Sequence, residues 1–538
     1  MSTERIPLPS RLNLEPPNFA GRGNEMQLLD EAWSRVSTGA QREIVLVAGE
    51  AGLGKTTLVA RAAREAFENG ANVLFGHSEE DLITPYQLFA ESLAHYVTHA
   101  AEEKLRAHVA VHGSELVRIV PALANRLPDL PDTRATDADS ERSLLFAAVL
   151  DMLEVASAEQ PLVLMLDDIQ WADKGSLQLF RHLAASDRPM RMLVLATYRD
   201  NETRALLDTL AALHRLAGVT RLSLQGLNND EVLECVLAIV GHAVEEVASG
   251  IAQAVQGETD GNPFFVAELL HHLKATGAIS EDGRWVATEA IDTIALPDSV
   301  LETIGARIAR LGEECAGVLR QAAVIGRDFD FDLLLRATSM PEDALLDILD
   351  QAAEGAVIHE LPGSEGRYHF AHALIQHALY QELSGPRRAV AHRKLAAALE
   401  DLRGAARDSR IGELARHWCF APRTEDVPKA IAYAYEAGAA ALAALAPADA
   451  IDYFESATAL IAEHGSPDPA LELDTAIGLG TAQRQSGDPA FRDTLLAAGE
   501  RAAELGDTGQ LVRAVLANDR GWHSTSGASD SEKVSQLE

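Results

Sequence analysis

The sequence predicts an α/β unit, a parallel sheet with helices on both faces, followed by an all-helical remainder interrupted by one small hairpin. Three observations carry this. Strand-like apolar runs alternate with helical patterns between residues 43 and 225. A glycine-rich octapeptide joins the first of those runs to the helix after it. Beyond residue 226 strand patterns become rare, and an Ala- and Leu-rich composition with 47% hydrophobic but only 5% aromatic residues leans helical.

The octapeptide organises the chain. Ile44–Val47 is a short β-branched and leucine run of the kind a buried parallel strand uses. It ends in Gly49-Glu-Ala-Gly52-Leu-Gly54-Lys55-Thr56, a full match to G-x-x-x-x-G-K-[ST]. Apolar residues at 58, 59, 62, 63, 66 and 67 keep one helical face, and Asn69-Gly70 stops it. Glycines let backbone N–H groups curl round a phosphate, and the new helix turns its positive end to the anion. Lys55 is placed to reach the β/γ-phosphates, and the Thr56 hydroxyl to ligate Mg²⁺. Gly49, Gly52, Gly54, Lys55, Thr56 and Thr57 are thus the expected nucleotide-binding residues, with a plain glycine turn and a surface lysine as the bland alternative.

Bulk properties set the frame. At 538 residues the length suits roughly three or four domains. A formal net charge of −35 disfavours non-specific attraction to nucleic acid. Cys235, Cys315 and Cys419 lack metal-ligand spacing and read as buried small hydrophobes in a reducing compartment. Residues 1–10 lack the apolar core of a signal peptide, and no stretch approaches about 18 apolar residues in a row. The expectation is a soluble, cytoplasmic protein with no membrane partner.

Residues 1–18, with four prolines, read as an extended leader. Phe19-Ala-Gly21-Arg22-Gly-Asn-Glu25 precedes a helical pattern through Trp33. Further strand-like runs are Asn72–Gly76, Leu162–Leu166, Met192–Thr197 and Arg221–Leu224, separated by helical patterns such as Glu141–Ala158 and Ser176–Ala185. Residues 125–140 are polar and proline-bearing, hence a loop. The run from Pro161 ends in Asp167-Asp168-Ile169-Gln170-Trp171-Ala-Asp173, which puts two carboxylates at the sheet's C-terminal edge. Asp167 is the expected Mg²⁺-side acid, and Asp168 the group that polarises the attacking water.

These motifs resemble the AAA+ class. The Gly21-Arg22 segment before a phosphate loop borders the adenine there. Asp-Asp, a hydrophobic residue, any residue, then Trp-Ala-Asp is similar to the signal-transducing ATPases with numerous domains (STAND). Within these it looks most like the LuxR-type large ATP-binding regulators and the ATPase half of soluble class III adenylyl cyclases. The resemblance implies a five-stranded P-loop NTPase core over residues 19–225. It implies that Arg199, in Thr197-Tyr198-Arg199, senses the γ-phosphate; a strand-end arginine in a surface salt bridge is the alternative. It implies a helical lid over 226–295, where Pro263 of Gly261-Asn262-Pro263 abuts the base.

Residues 296–390 read as a winged helix. Leu296-Pro297-Asp298-Ser299 breaks a strand and caps a helix, and Val357–Leu361 with Arg367–Ala371 forms the wing hairpin. Phe370-Ala-His372 resembles the motif whose histidine contacts a bound diphosphate; a structural histidine is the equal alternative. Residues 391–538 carry tetratricopeptide-like pairing, 429–445 with 447–463 and 469–486 with 490–505. The pattern stops at Ser-Gln-Leu-Glu without a cap, as a fragment, a disrupted frame or a shortened paralogue would.

The function expected from this layout is an ATP-binding, slowly hydrolysing switch for transcriptional or cyclase-type signalling. ATP or ADP and Mg²⁺ are its expected cofactors. A protein inducer at the repeats and nucleotide-dependent self-association are its expected partnerships, without direct DNA binding. The rival is a non-hydrolysing nucleotide-binding scaffold whose repeats hold a protein. A replication-initiator type would want a basic wing, and this one reads Pro-Gly-Ser-Glu-Gly-Arg.

Overall fold

The computed structural model describes residues 5–13, 19–39, 41–79, 84–131, 138–199, 204–240, 245–275, 300–361, 365–401, 410–420, 422–465 and 468–518. Five strands, β1 (Arg42–Ala48), β2 (Asn72–His77), β3 (Leu162–Asp167), β4 (Met192–Tyr198) and β5 (Val219–Ser223), form the first sheet. Their order is β2-β3-β4-β1-β5, and every pairing is parallel. Both faces are covered, which is why the central strands β1, β3 and β4 read as near-continuous apolar runs rather than alternating, while the edge strand β5 stays polar and half exposed. Ile44, Leu46 and Ala48 point into one core with helices Gln87–His99, Ala138–Ala158 and Lys174–Ala185. Val45 and Val47 point into the other, with helices Gly23–Thr38 and Lys55–Glu68.

Boundaries moved by a few residues. β2, β3 and β4 each run one residue further than the apolar pattern, carrying His77, Asp167 and Tyr198 into the ladder. β5 begins two residues early because Val219 and Thr220 pair with Ile44 and Val45. The helix expected from Glu141 starts at Ala138. Inside the leader, Ser10–Asn13 makes a 3-10 turn, with Ile6 and Leu12 buried against the five-stranded unit.

Helices Asn229–Val240, Glu245–Thr259 and Pro263–Ala275 close on a small core of Leu227, Val232, Val236, Ile251 and Leu270. Next, helices Val300–Arg310, Gly312–Ile325, Phe331–Thr338 and Glu342–Glu354 pack with a three-stranded antiparallel sheet. Its strands are β6 (Asp328–Asp330), β7 (Ile358–Glu360) and β8 (Arg367–Phe370), in the order β6-β8-β7. The hairpin matches the expected wing. β6 has too few residues to show a period, and Asp330 at its end caps the next helix by accepting from Leu333 N at 2.8 Å. The break expected at 296–299, the wing tip at 362–364 and the segment 519–538 lie outside the described residues.

Helices Ile411–Cys419, Val427–Ala443, Pro447–His464, Pro469–Ser486, Phe491–Leu505 and Thr508–Ala517 stack each on the next. Small residues allow the approach: a Cβ at Gly438 or Gly478 would lie 2.8 or 2.6 Å from the Phe454 ring. The stack also touches the five-stranded unit. Tyr86 donates its hydroxyl to Leu445 O at 2.9 Å, Lys174 pairs with Asp452 at 2.9 Å, and Leu445 joins the first core. Among the described residues no helix is long and apolar enough to cross a membrane.

Candidate nucleotide site

The loop after β1 opens at the C-terminal edge of the sheet, where β1 lies between β4 and β5 and the strand order reverses. Gly52 and Gly54 take φ +87° and +81°, a region in which side chains are strained. Gly54 precedes helix Lys55–Glu68 without a side-chain cap, so the first-turn N–H groups keep their capacity for an anion. Lys55 is buried, and its Nζ donates to the carbonyls of Gly49 at 2.8 Å and Glu50 at 2.9 Å. The ammonium is thus held over the loop by the loop's own oxygens.

The acidic edge is equally ordered. Asp167, 3% exposed, accepts from Thr56 Oγ1 at 2.9 Å and from Thr197 Oγ1 at 2.6 Å. Thr197 Oγ1 in turn accepts from Asp168 N at 2.9 Å, so one hydroxyl bridges both acids. Asp168 sits at φ +54°, which turns its carboxylate off the strand end. Gln170 Nε2 donates to Asp168 Oδ1 at 2.9 Å, and Gln170 Oε1 accepts from Arg199 N at 3.1 Å. Burial first, and the neighbouring Asp168 charge second, push the Asp167 carboxyl up from its ordinary range. A hydroxyl and a carboxylate in contact, offering only oxygen, fit a hard dication such as Mg²⁺.

The lid grips the loop directly. Asn262 Nδ2 donates to Ala51 O at 3.0 Å, and a Cβ at Gly52 would meet Asn262 Oδ1 at 2.6 Å. Pro263 opens the following helix, where its missing N–H removes no intrahelical bond, and Phe264 N donates to Gly52 O at 3.3 Å. Arg22 Nη2 donates to Leu53 O at 3.1 Å and Gln225 O at 2.7 Å, bracing the loop against the end of β5. The amides of Gly21 and Arg22 donate to Glu234 at 2.9 Å and Glu231 at 3.1 Å of the lid.

His372 connects the winged helix. Its Nδ1 accepts from Leu374 N at 3.2 Å, capping helix Ala373–Glu382, and its ring stacks on Phe264 at 3.9 Å. Burial, then the Arg327 and Arg199 charges, drive its imidazolium pKa down to about 3, so the ring is neutral. A cavity of about 220 Å³ is lined by Asp168, Trp171, Arg199, His77, Gln376 and Arg327. A second, of about 410 Å³, lies across the acidic ridge beside Thr56, Thr57, Asp167 and Arg327.

The residues singled out from sequence therefore converge on one sheet edge and its two covers. Five others at the edge were not anticipated as site residues: Thr197, Gln170, Asn262, Phe264 and Arg327. Thr197 had a signal, a small hydroxyl within the apolar strand Met192–Tyr198. Asn262 lay inside the quoted Gly-Asn-Pro turn. Arg327 had none, since it reaches the site only through the packing of another domain.

Residues 18–195 match the AAA ATPase domain family. The chain as a whole has the fold of the STAND protein with a tetratricopeptide repeat sensor from Pyrococcus horikoshii, at a TM-score of 0.50 and 13% identity, over 94% of this chain and 67% of that one. It is 26% identical over 496 residues to an uncharacterized protein of Rhizobium meliloti (strain 1021), covering 88% of this chain and 46% of that protein. It is 21% identical over 407 residues to hybrid signal transduction histidine kinase G of Dictyostelium discoideum, covering 61% of this chain and 12% of that protein. The chain thus spans less than half the length of either curated relative.

Proposed function

We propose that this chain is a nucleotide-operated signalling switch that binds ATP with Mg²⁺ and hydrolyses it slowly to ADP and phosphate. One observation carries the reading. A continuous path runs from the phosphate loop through Asn262 and Phe264 of the lid to His372 of the winged helix. A change at the loop is therefore felt two domains away.

In this reading Lys55 leaves the Gly49 and Glu50 carbonyls for the β/γ-phosphates, and Arg199 pairs with γ-phosphate oxygens. Asp168 orients the water for in-line attack. Thr56 and Asp167 would hold Mg²⁺, which neutralises phosphate charge when bound. Gly21, Arg22 and Pro263 border the base, Thr57 adjoins the phosphates, and His372 faces the diphosphate. The repeats serve as sensor for a protein inducer, opening permits self-association, and the setting is transcriptional or cyclase-type signalling in the cytoplasm.

Timed ATP turnover with Mg²⁺ for the wild type, Lys55→Ala and Asp168→Asn tests the reading. Slow wild-type turnover, reduced by about 100-fold or more in Asp168→Asn, is expected. The same near-zero rate in all three proteins would instead favour a non-hydrolysing scaffold.

A further inference from the structure

We propose that Arg327, from the winged helix, is a positioning residue for Asp168 that withholds this carboxylate from the attacking water while the winged helix is docked; the proposal rests on the ATPase reading above. Arg327 Nη1 lies 3.6 Å from Asp168 Oδ2. The other carboxylate oxygen, Oδ1, accepts from Gln170 Nε2 at 2.9 Å. Both oxygens of the water-orienting group therefore face donors. A guanidinium only donates hydrogen bonds, so Arg327 cannot stand in for the base it covers.

The placement is fixed from both sides. The Arg327 carbonyl accepts from Phe370 N at 3.0 Å, tying it to the wing sheet. The next residue, Asp328, is buried and ion-pairs with Arg11 of the leader and with His77 at the end of β2. A Cβ at Gly326 would come within 3.1 Å of Glu79 Oε2, so this strand is seated closely on the ATPase unit. From that anchor the guanidinium lines the cavities on both flanks of the Asp167–Asp168 ridge. Its backbone belongs to the winged helix, so undocking that domain uncovers Asp168 without any rearrangement of the five-stranded sheet.

The test is steady-state ATP turnover by the full chain carrying Arg327→Ala, with Arg327→Met alongside to keep the aliphatic stem should the alanine protein fail to fold. The expected result is a kcat about tenfold higher, a part of what a positioned base contributes, with the KM for ATP within about twofold and Lys55 still required. Arg327→Lys, a cation without the planar fork, falls between. The rise vanishes when Asp168→Asn is added. Turnover that stays Lys55-dependent but is unchanged or lowered in a variant melting like the wild type overturns the lock alone. So does a rise that survives Asp168→Asn. Absence of Lys55-dependent turnover in every protein, wild type included, overturns the lock together with the ATPase reading.

Discussion

Thr197 carries more of the site than its size suggests. Fully buried, it donates to Asp167 and accepts from the Asp168 amide, so it sets the spacing of the two acids. Thr197→Val keeps the shape and leaves both groups without that partner. A stability loss of about 1–3 kcal/mol is expected from urea unfolding, the cost of leaving the buried Asp168 amide unpaired while Asp167 keeps the Thr56 hydroxyl. An unchanged midpoint would mean that water replaces the hydroxyl. At this scale legibility followed chemistry. Lys55, Thr56 and Asp167 could be singled out because a G-x-x-x-x-G-K-[ST] string and an apolar run ending in two acids are short, local patterns. Arg327 could not, because its role depends on which domain packs over Asp168.

At the level of elements, the contact between repeats and ATPase unit is a shared helix cap. Asp173 is the N-cap of helix Lys174–Ala185, accepting from Ser176 N at 2.7 Å. Asp449, from the repeat helix Pro447–His464, accepts from Lys174 N at 3.0 Å and Gly175 N at 3.4 Å on the same helix end. Burial, then the Asp173 charge, push the Asp449 carboxyl from 3.8 up to about 8. A raised carboxyl pKa means that the folded state holds the proton more tightly than the unfolded one. Stability from this group is therefore fully present below pH 3.8 and lost as pH rises toward about 8. Asp449→Asn should melt closest to the wild type near pH 4 and increasingly above it as pH rises to 8.5. Melting curves that stay parallel from pH 5 to pH 9 would contradict the assignment. The helices and long strands were legible from period and punctuation. β6 was not, for a three-residue strand exists only through its pairing with β8.

Over the whole molecule, the parallel-sheet unit, the small helical unit after it, the winged helix and the repeats follow one another in sequence and also touch in space. His372 stacks on Phe264, Arg327 faces Asp168, and Tyr86 bonds to Leu445. The order of the parts was readable from sequence, because each announces itself by composition or motif. The contacts between parts were not, since they join residues from different domains through single side chains. Under the proposed function, those contacts join nucleotide state and domain docking in one equilibrium. The most direct measurement is hydrogen exchange over residues 300–401, compared between the ADP-loaded chain and the chain loaded with a slowly hydrolysed ATP analogue. Loss of protection around β6, β8 and helix Ala373–Glu382 in the triphosphate form, with a larger hydrodynamic radius, is the predicted result. Identical exchange and size in the two forms would contradict a nucleotide-operated switch.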